Sequence, residues 1–233
     1  MTMNTYMQEY TIQLRQKIQL THNMISLVFE KPADFEFTAG QFVQFLVPDG
    51  EKVVPRAYSI CSTPSDNELH FCVKLLENGK ASTLFAAMTD GDSAIIRGPR
   101  GNFVSTASSP LYFVATGAGI APIMSILQDE LIHKKTDTEL YLLFGVHDES
   151  DLFWQQRLDD LTNTYNNFSF NTTVSQPQSQ EWRGLNGRVT DHLDNHSNGH
   201  QFFICGNPDM VKDVRNILLE SGVEKTQIHF EIF

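Results

Sequence analysis

The pattern of apolar residues changes once along this chain, and that change constrains the fold more than any other feature. Up to about residue 105, short β-branched and aromatic stretches alternate apolar with polar positions and are separated by turn residues. Such stretches are typical of strands in an antiparallel barrel or sandwich. From residue 111 onward, apolar strands alternate with helical patterns, as in a parallel sheet built from βαβ units. We therefore predict a β domain over residues 1–105 and an α/β domain over residues 106–233.

Finer features are expected inside this division. One helix should interrupt the first domain at about residues 82–88, and the turn-rich stretch 97–102 should close it. The segment 56–59 should leave a turn that ends at Pro55, and a Ser/Thr/Ala-rich stretch at 105–110 should link the domains.

Composition and charge narrow the possible functions. The chain has 233 residues, is 41% hydrophobic and carries a formal net charge of -11, which disfavours a nucleic-acid partner because such proteins present basic surfaces. No run of 18 apolar residues occurs, so membrane insertion is not expected. No signal peptide is visible in residues 1–10, so we expect a cytoplasmic location. The charge is uneven, since residues 52–100 hold six Lys or Arg against five acids.

The cysteines and histidines predict no metal site. Cys61, Cys72 and Cys205 lie far apart in sequence, which does not resemble a disulfide framework. The histidines show no zinc-ligand spacing, and three thiolates cannot supply the four that a plant-type iron–sulfur cluster requires. Any one-electron carrier is therefore expected to be another protein.

Two segments of the second domain have the residue types of nucleotide-binding turns. Residues 116–122 follow the first strand, where glycines allow a sharp turn and a helix N-terminus can bind phosphate. A plain tight turn is the alternative, and Pro122 replaces the third glycine of the G-x-G-x-x-G fingerprint. Residues 205–210 also run from a strand end into a helix, with a buried structural cysteine as the alternative.

Two segments of the first domain suit a phosphorylated aromatic ligand. Residues 56–59 combine an arginine for phosphate, a flat tyrosine face and a serine hydroxyl, although an ordinary strand with one exposed arginine would look the same. Residues 79–84 place small and hydroxyl side chains at a helix start, which suits an anion or serves only as a helix cap.

The order and spacing of these segments resemble the ferredoxin–NADP reductase superfamily. The family patterns R-x-Y-S, G-x-x-S-x-L, G-P-x-G-x-F, T-G-x-G-x-A-P and C-G-x-x-x-M match, in that order, residues 56–59, 79–84, 98–103, 116–122 and 205–210. The resemblance implies an antiparallel Greek-key flavin-binding β-barrel followed by a parallel-sheet nucleotide-binding α/β domain. It also implies FAD as cofactor and NAD(P)H as co-substrate.

The resemblance assigns roles residue by residue. It implies three catalytic residues: Ser59 near flavin N5, Cys205 near the nicotinamide, and Glu231. Arg56 would bind the flavin diphosphate and Tyr58 would lie against the flavin ring. The implied FAD-binding residues are Arg56, Ala57, Tyr58, Ser59, Val73, Lys74, Gly79, Lys80, Ala81, Ser82 and Thr83. The implied coenzyme-binding residues are Thr116, Gly117, Gly119, Pro122, Ser175, Arg188, Cys205, Gly206 and Met210.

The last residues and the coenzyme site each leave a question open. Glu231 and Phe233 match the ending of plant-type relatives, in which a terminal aromatic covers the flavin; a terminal core strand is the alternative. NADP-preferring relatives often carry Ser-Arg after the third strand of this domain, whereas this chain has Ser175-Gln176, which points toward NADH. Arg188 falls where some relatives bind the 2'-phosphate, so the coenzyme stays NAD(P)H.

Three functions are compatible with the resemblance. The first is an electron-transfer reductase that passes single electrons from FAD to a ferredoxin, a flavodoxin or an oxygenase component. The second is a flavin reductase that uses free flavin as a substrate, which the complete set of flavin-anchoring residues disfavours. The third is a non-catalytic flavin-binding regulatory subunit, which the retained Ser59, Thr116 and Cys205 disfavour. The oligomeric state and the physiological acceptor stay open.

Overall fold

The first half of the chain is an antiparallel barrel. A computed structural model describes residues 8–106, 109–193 and 199–232. Its first elements are β1 (Glu9–Gln19), β2 (Met24–Glu30), β3 (Phe42–Asp49), β4 (Lys52–Ser59), β5 (Glu68–Lys74), α1 (Lys80–Ala87) and β6 (Ser93–Arg100). The strand order is β4-β3-β6-β1-β2-β5, so that β6 returns to lie between β1 and β3 in a Greek-key arrangement. An isolated bridge from Ile60 to Phe71 joins the end of β4 to β5 and closes the sheet.

Aromatic side chains fill the barrel. Phe45 makes edge-to-face contacts with Phe71 and Phe85, each with ring centroids 5.0 Å apart, and Phe29 packs on the same cluster. Alternation along β3 directs Phe45 inward, as the period-2 sequence pattern predicts. The helix α1 contributes Phe85 and thereby covers one end of the barrel.

Three local expectations about the first half differ in detail from the structure. The stretch 97–102 is not all turn, because β6 continues to Arg100 and pairs with β1 and β3 on either side. Pro55 does not end a turn but lies inside β4, opposite Leu46. The strand tolerates this proline because β4 is at the end of the strand order, where one backbone N–H needs no partner. The helix begins at Lys80, two residues before the position that we predict.

The second half is a parallel sheet with helices. Its elements are β7 (Leu111–Thr116), α2 (Ile120–Gln128), β8 (Leu140–Val146), α3 (Gln155–Thr164), β9 (Phe168–Val174), β10 (Leu185–Asn186), β11 (Gln201–Gly206), α4 (Pro208–Glu220) and β12 (Ile228–Ile232). The strand order is β10-β9-β8-β7-β11-β12, and every pairing is parallel. A short π-helical stretch, Asp129–Lys134, extends α2.

The two halves share one apolar core. A buried cluster around α2 includes Met24, Ala39, Cys61, Cys72 and Phe103 of the barrel together with residues of β7, β8 and β11. A second cluster on the other side of the parallel sheet is covered by α4. The fold class predicted from the sequence is confirmed. None of the described helices is long and apolar enough to cross a membrane.

Candidate functional site

Along the strand β4, residues 56–59 become progressively more buried. Arg56 and Ala57 are exposed, whereas Ser59 is 3% exposed. Tyr58 is half-buried and packs edge-to-face on Phe45 and Phe85, with ring centroids 5.6 and 5.1 Å away. Burial raises the pKa of the Tyr58 phenol, and the Arg56 charge lowers it in part. Packing therefore fixes the tyrosine ring, while the exposed arginine beside it donates to the Pro55 carbonyl at 3.0 Å and has further N–H donors for an anion.

The start of α1 offers backbone donors. Gly79 is its N-cap residue and supplies no side-chain cap, so the first N–H groups of the helix point outward without an acceptor among the described residues. The Ser82 hydroxyl accepts a hydrogen bond of 2.8 Å from the backbone N–H of Leu76, which fixes the approach of the chain. Lys80 forms an ion pair with Asp49 in the β3–β4 turn. This uncapped helix start suits a phosphate group.

The other end of α1 is held by a residue of β1. The Lys17 ammonium donates to the carbonyl oxygen of Ala86 at 2.7 Å and to that of Met88. These carbonyls are among the last of the helix, which have no partners within it. A cation at a helix C-terminus also interacts favourably with the helix dipole. Sequence reasoning misses Lys17, because its contact joins residues about 70 positions apart.

In the second half, two strand ends form a tight turn region. Gly117, the first residue after β7, has a φ of +52°, and a Cβ there would have no atom within 4 Å. A Cβ on Gly119 would lie 2.2 Å from the Cys205 carbonyl oxygen, and one on Gly206 would lie 2.2 Å from Thr116 Oγ1. The backbone N–H of Asn207 donates to the same hydroxyl at 3.3 Å. Only glycine permits this approach of the β7 and β11 loops.

Cys205 and Glu231 are neighbours on adjacent parallel strands. They pair in the register of β11 and β12, and Cys205 is fully buried. Burial, and then the charge of Glu231, hold the pKa of the Cys205 thiol well above its ordinary range, so the thiol stays neutral. Burial also raises the pKa of Glu231 to about 7, so this carboxyl changes protonation near neutral pH.

The barrel and the parallel sheet meet at these residues. Ser59 pairs with Phe42 in the register of β3 and β4. A Cβ on Gly101 would lie 3.0 Å from the Phe42 ring and 3.2 Å from Glu231 Oε1. Thus Phe42 and Gly101 connect Ser59 to Glu231, and Glu231 pairs with Cys205. Phe42 is a second residue that sequence reasoning misses, because its alternation pattern shows only that it belongs to a strand.

The remaining predicted residues lie in or near these elements. Val73 is fully buried in β5, and Lys74 next to it is exposed. Pro122 is buried in the first turn of α2, and Met210 lies in the first turn of α4. Ser175 and Arg188 follow the adjacent strands β9 and β10, and the Ser175 hydroxyl donates to the His147 carbonyl at 3.3 Å. Phe233 lies outside the described residues.

These residues fit an FAD and a nicotinamide coenzyme. The uncapped start of α1 and the exposed Arg56 match a diphosphate. The open space at Gly117 leaves room for a ligand at the carboxyl end of a central strand, where such sheets bind nucleotides. The nearly buried Ser59 hydroxyl makes no hydrogen bond to another described residue, so it is available to a ligand. Among the described residues, no group of His, Cys, Asp or Glu side chains could hold a metal ion.

Comparison with known families identifies both halves. Residues 11–104 match the model of the oxidoreductase FAD-binding domain, and residues 113–216 match that of the oxidoreductase NAD-binding domain. The chain is therefore an oxidoreductase with an FAD-binding domain followed by an NAD-binding domain. It belongs to the ferredoxin–NADP reductase superfamily, which confirms the resemblance seen in its motifs and the predicted cofactors.

Individual relatives agree with this assignment. The anthranilate 1,2-dioxygenase electron transfer component of Acinetobacter baylyi is 30% identical over 85% of this chain and 58% of its own length. The flavodoxin/ferredoxin–NADP reductase of Buchnera aphidicola is 27% identical over 94% of this chain and 92% of its own. The structure of a ferredoxin NADP+ reductase from Neisseria gonorrhoeae with bound FAD and NADP superposes with a TM-score of 0.83, at 28% identity, over 96% of this chain and 98% of that one. The chain spans 58 to 65% of the length of several curated oxygenase-system relatives.

Proposed function

We propose that this chain is an electron-transfer reductase that takes two electrons from NAD(P)H and delivers them singly to a ferredoxin, a flavodoxin or an oxygenase component. The observation that carries the proposal is the meeting of the two halves, where Ser59 is connected through Phe42 and Gly101 to Glu231 and Cys205. When bound, FAD accepts hydride from the coenzyme and can release single electrons. The chain itself contributes binding, orientation and exclusion of water.

We propose a role for each of these residues that is consistent with its surroundings. Arg56 and the start of α1 bind the flavin diphosphate, and Tyr58 packs against the flavin. The Ser59 hydroxyl supplies a hydrogen bond beside the reacting atoms. The neutral Cys205 thiol is fully buried and would orient the nicotinamide through the strand end that carries it. Glu231 holds or releases a proton near neutral pH.

The test begins with the purified chain. We expect it to carry stoichiometric FAD and to lose flavin absorbance when NADH or NADPH is added anaerobically. A colourless chain that oxidises NADH only with added flavin would support the free-flavin reductase instead. Bound flavin that neither coenzyme bleaches would support the regulatory subunit.

For the acceptor, we propose a separate protein that carries one electron at a time. Residues 52–100 are less acidic than the rest of the chain, with six basic residues against five acidic ones, and offer a place for an acidic carrier to dock. Anaerobic titration of the reduced chain against ferredoxins, flavodoxins and oxygenase components would identify the acceptor. A docking rate that is insensitive to salt would contradict this charge-based docking.

For the coenzyme, we propose a preference for NADH. The Glu149 carboxylate accepts hydrogen bonds from the backbone N–H groups of Gln178 and Ser179 at 2.8 to 3.1 Å, which lower its pKa. A fixed negative charge thus lies beside segment 175–176 and would oppose a 2'-phosphate. We expect Glu149→Gln to raise kcat/KM for NADPH relative to NADH. An unchanged ratio would contradict a role for Glu149 and would indicate that Arg188 determines the selectivity.

Two further features belong to the proposal. We infer a domain boundary at residues 105–106, in accordance with the family matches that end at residue 104 and begin at residue 113. We also propose a cytoplasmic location, which fractionation of the source cells would test.

A further inference from the structure

A buried polar contact joins the barrel to α2, the helix that follows residues Gly117–Gly119, which we call the coenzyme turn. The Ser125 hydroxyl on α2 donates to the carbonyl oxygen of Ser62 at 2.6 Å. One helical turn later, Gln128 Nε2 donates to the carbonyl oxygen of Cys61 at 3.2 Å. The partners are 63 and 67 residues apart in sequence. We call these two contacts the α2 seam.

The α2 seam is buried, and its two carbonyl oxygens accept no other hydrogen bond from the described residues. Cys61, Ser62 and Ser125 are all at most 1% exposed, and Gln128 is 9% exposed. The chain has just left β4, and no described backbone N–H donates to the Cys61 or Ser62 carbonyl. A buried carbonyl that loses its donor cannot turn to water, so the segment has to move to find a new one.

Two further hydrogen bonds fix the Gln128 side chain of the α2 seam. The Gln128 side chain donates a second bond to the Met124 carbonyl at 2.9 Å, and its oxygen accepts from Arg157 Nη2 on α3. The Arg157 guanidinium in turn lies 5.2 Å from the centre of the Trp154 ring. With both its donors and its acceptor engaged, the amide has one orientation.

Both ends of this connection reach the site. The segment 61–62 begins two residues after Ser59, and Ile60 between them is fully buried. The helix α2 begins at Ile120, directly after Gly119. A helix of nine residues therefore runs from the coenzyme turn to the carbonyls that follow β4. We call β4 the flavin strand, because it carries residues 56–59.

We propose that Ser125 and Gln128 are positioning residues, which set the separation between the flavin strand and the coenzyme turn through the α2 seam. The inference rests on the proposed function and deepens it. Both side chains donate to backbone carbonyls of the barrel, so each would act through the backbone next to Ser59. Because hydride transfer requires reacting atoms in contact, a displacement of about 1 Å can cost on the order of a hundredfold in rate.

The experiment uses Ser125→Ala and Gln128→Met in the full chain with FAD bound. Stopped-flow reduction with increasing NADH separates the dissociation constant of the coenzyme from the limiting rate of flavin reduction. We expect the limiting rate to fall by roughly tenfold or more, with flavin content and the NADH dissociation constant near those of the wild type. Hydrogen exchange should accelerate in residues 58–66 and stay unchanged in β8 and β9.

Matched controls remove similar groups away from the seam. Ser221→Ala deletes a hydroxyl that donates to the Ile217 carbonyl of its own helix, and Gln156→Met deletes an amide that donates to Asp160. Both should reduce flavin at the wild-type rate. Because Ser125→Ala and Gln128→Met differ in the space they leave, failure of one to fold still leaves the other as a test.

The outcomes separate this inference from the proposed function. A wild type that binds no flavin would refute the proposed function, and this inference with it. A competent wild type whose seam variants reduce flavin at the wild-type rate would refute the inference alone. A fall in melting temperature, flavin content and coenzyme affinity together, with no separate fall in limiting rate, would also refute it, because the seam would then be only structural.

Discussion

Gly119 should be the least replaceable residue of the coenzyme turn. A Cβ at this position would lie 2.2 Å from the Cys205 carbonyl oxygen and 2.6 Å from the Cα of Gly206. Both are backbone atoms, so no side chain can rotate to make room. To reach the 3.4 Å of an ordinary contact, the β7 and β11 loops must separate by about 1.2 Å.

The expected cost of Gly119→Ala follows from that displacement. Overpacking of this kind costs roughly 1–3 kcal/mol of unfolding free energy, or about 2–12 °C in melting temperature for a chain of this size. A shift of about 1 Å beside the reacting atoms should slow coenzyme-dependent flavin reduction by roughly ten- to a hundredfold. Flavin should stay bound, because the residues proposed to hold it are on the barrel.

The assay combines thermal melting, flavin content and stopped-flow reduction by NADH. Gly222→Ala is the control for an added methyl group that meets no backbone atom: a Cβ there would have no atom within 4 Å, although Gly222 has a positive φ of +89° whereas the φ of Gly119 is -62°. It should lose stability through backbone strain and retain the wild-type rate. Wild-type melting and wild-type reduction in Gly119→Ala would refute the reasoning.

Three other substitutions test the barrel and the end of the chain. Ser82→Ala leaves the Leu76 N–H without its partner, so we expect a loss of about 1–3 kcal/mol by chemical denaturation and weaker FAD binding by fluorescence titration. Lys17→Met removes the ammonium from the C-terminal carbonyls of α1 and should cost about 1–2 kcal/mol in the same denaturation assay. Glu231 has a pKa of about 7 in the folded chain against an ordinary value of 4.5, so the folded state binds more protons than the unfolded state between those values. Wild-type stability should therefore fall as pH rises from about 4.5 to 7, and Glu231→Gln should lack this fall in melting temperature measured against pH.

Each of these has a result that would contradict it. Arg15→Met, on the same strand as Lys17, breaks only an exposed ion pair with Glu30 and should have little effect; an equal loss in both variants would show that the helix end does not matter. Undiminished FAD affinity in Ser82→Ala would separate the Leu76 contact from the flavin site. A pH-dependent decline that persists in Glu231→Gln would assign the proton to another group.

Local patterns in the sequence predict most of the strands, because alternation and βαβ spacing are set by neighbours along the chain. They also locate the glycine turn at 117–119, whose composition reports its backbone geometry directly. They misplace the end of the barrel, since Gly98 and Pro99 read as a turn, although β6 continues past them and Arg100 pairs with Phe42 of β3 after a shift in register. They give no sign of the two-residue β10, which exists only through its pairing with β9.

Contacts between distant residues cannot be read in this way. Lys17 alternates like any polar residue of a strand, yet it holds the end of α1. Ser125 and Gln128 lie within a uniformly buried helix, so nothing in their spacing indicates that they donate to the barrel. Such roles depend on which elements the folded chain brings together, and the local sequence does not record that.

The strand order of the second half places the coenzyme turn apart from the residues that we propose to distinguish NADH from NADPH. The coenzyme turn follows β7 and lies against the end of β11. These two strands are neighbours in the sheet, although β8, β9 and β10 come between them in the chain. The residues that we propose to select between NADH and NADPH all lie in the chain segment between β7 and β11. Its strands β8, β9 and β10 lie on one side of β7, and the chain then crosses to β11 on the other side. This segment can consequently change in length and charge while β7 and β11 keep their register. Coenzyme preference could therefore change in evolution without any change in the coenzyme turn at which hydride transfer is proposed to occur.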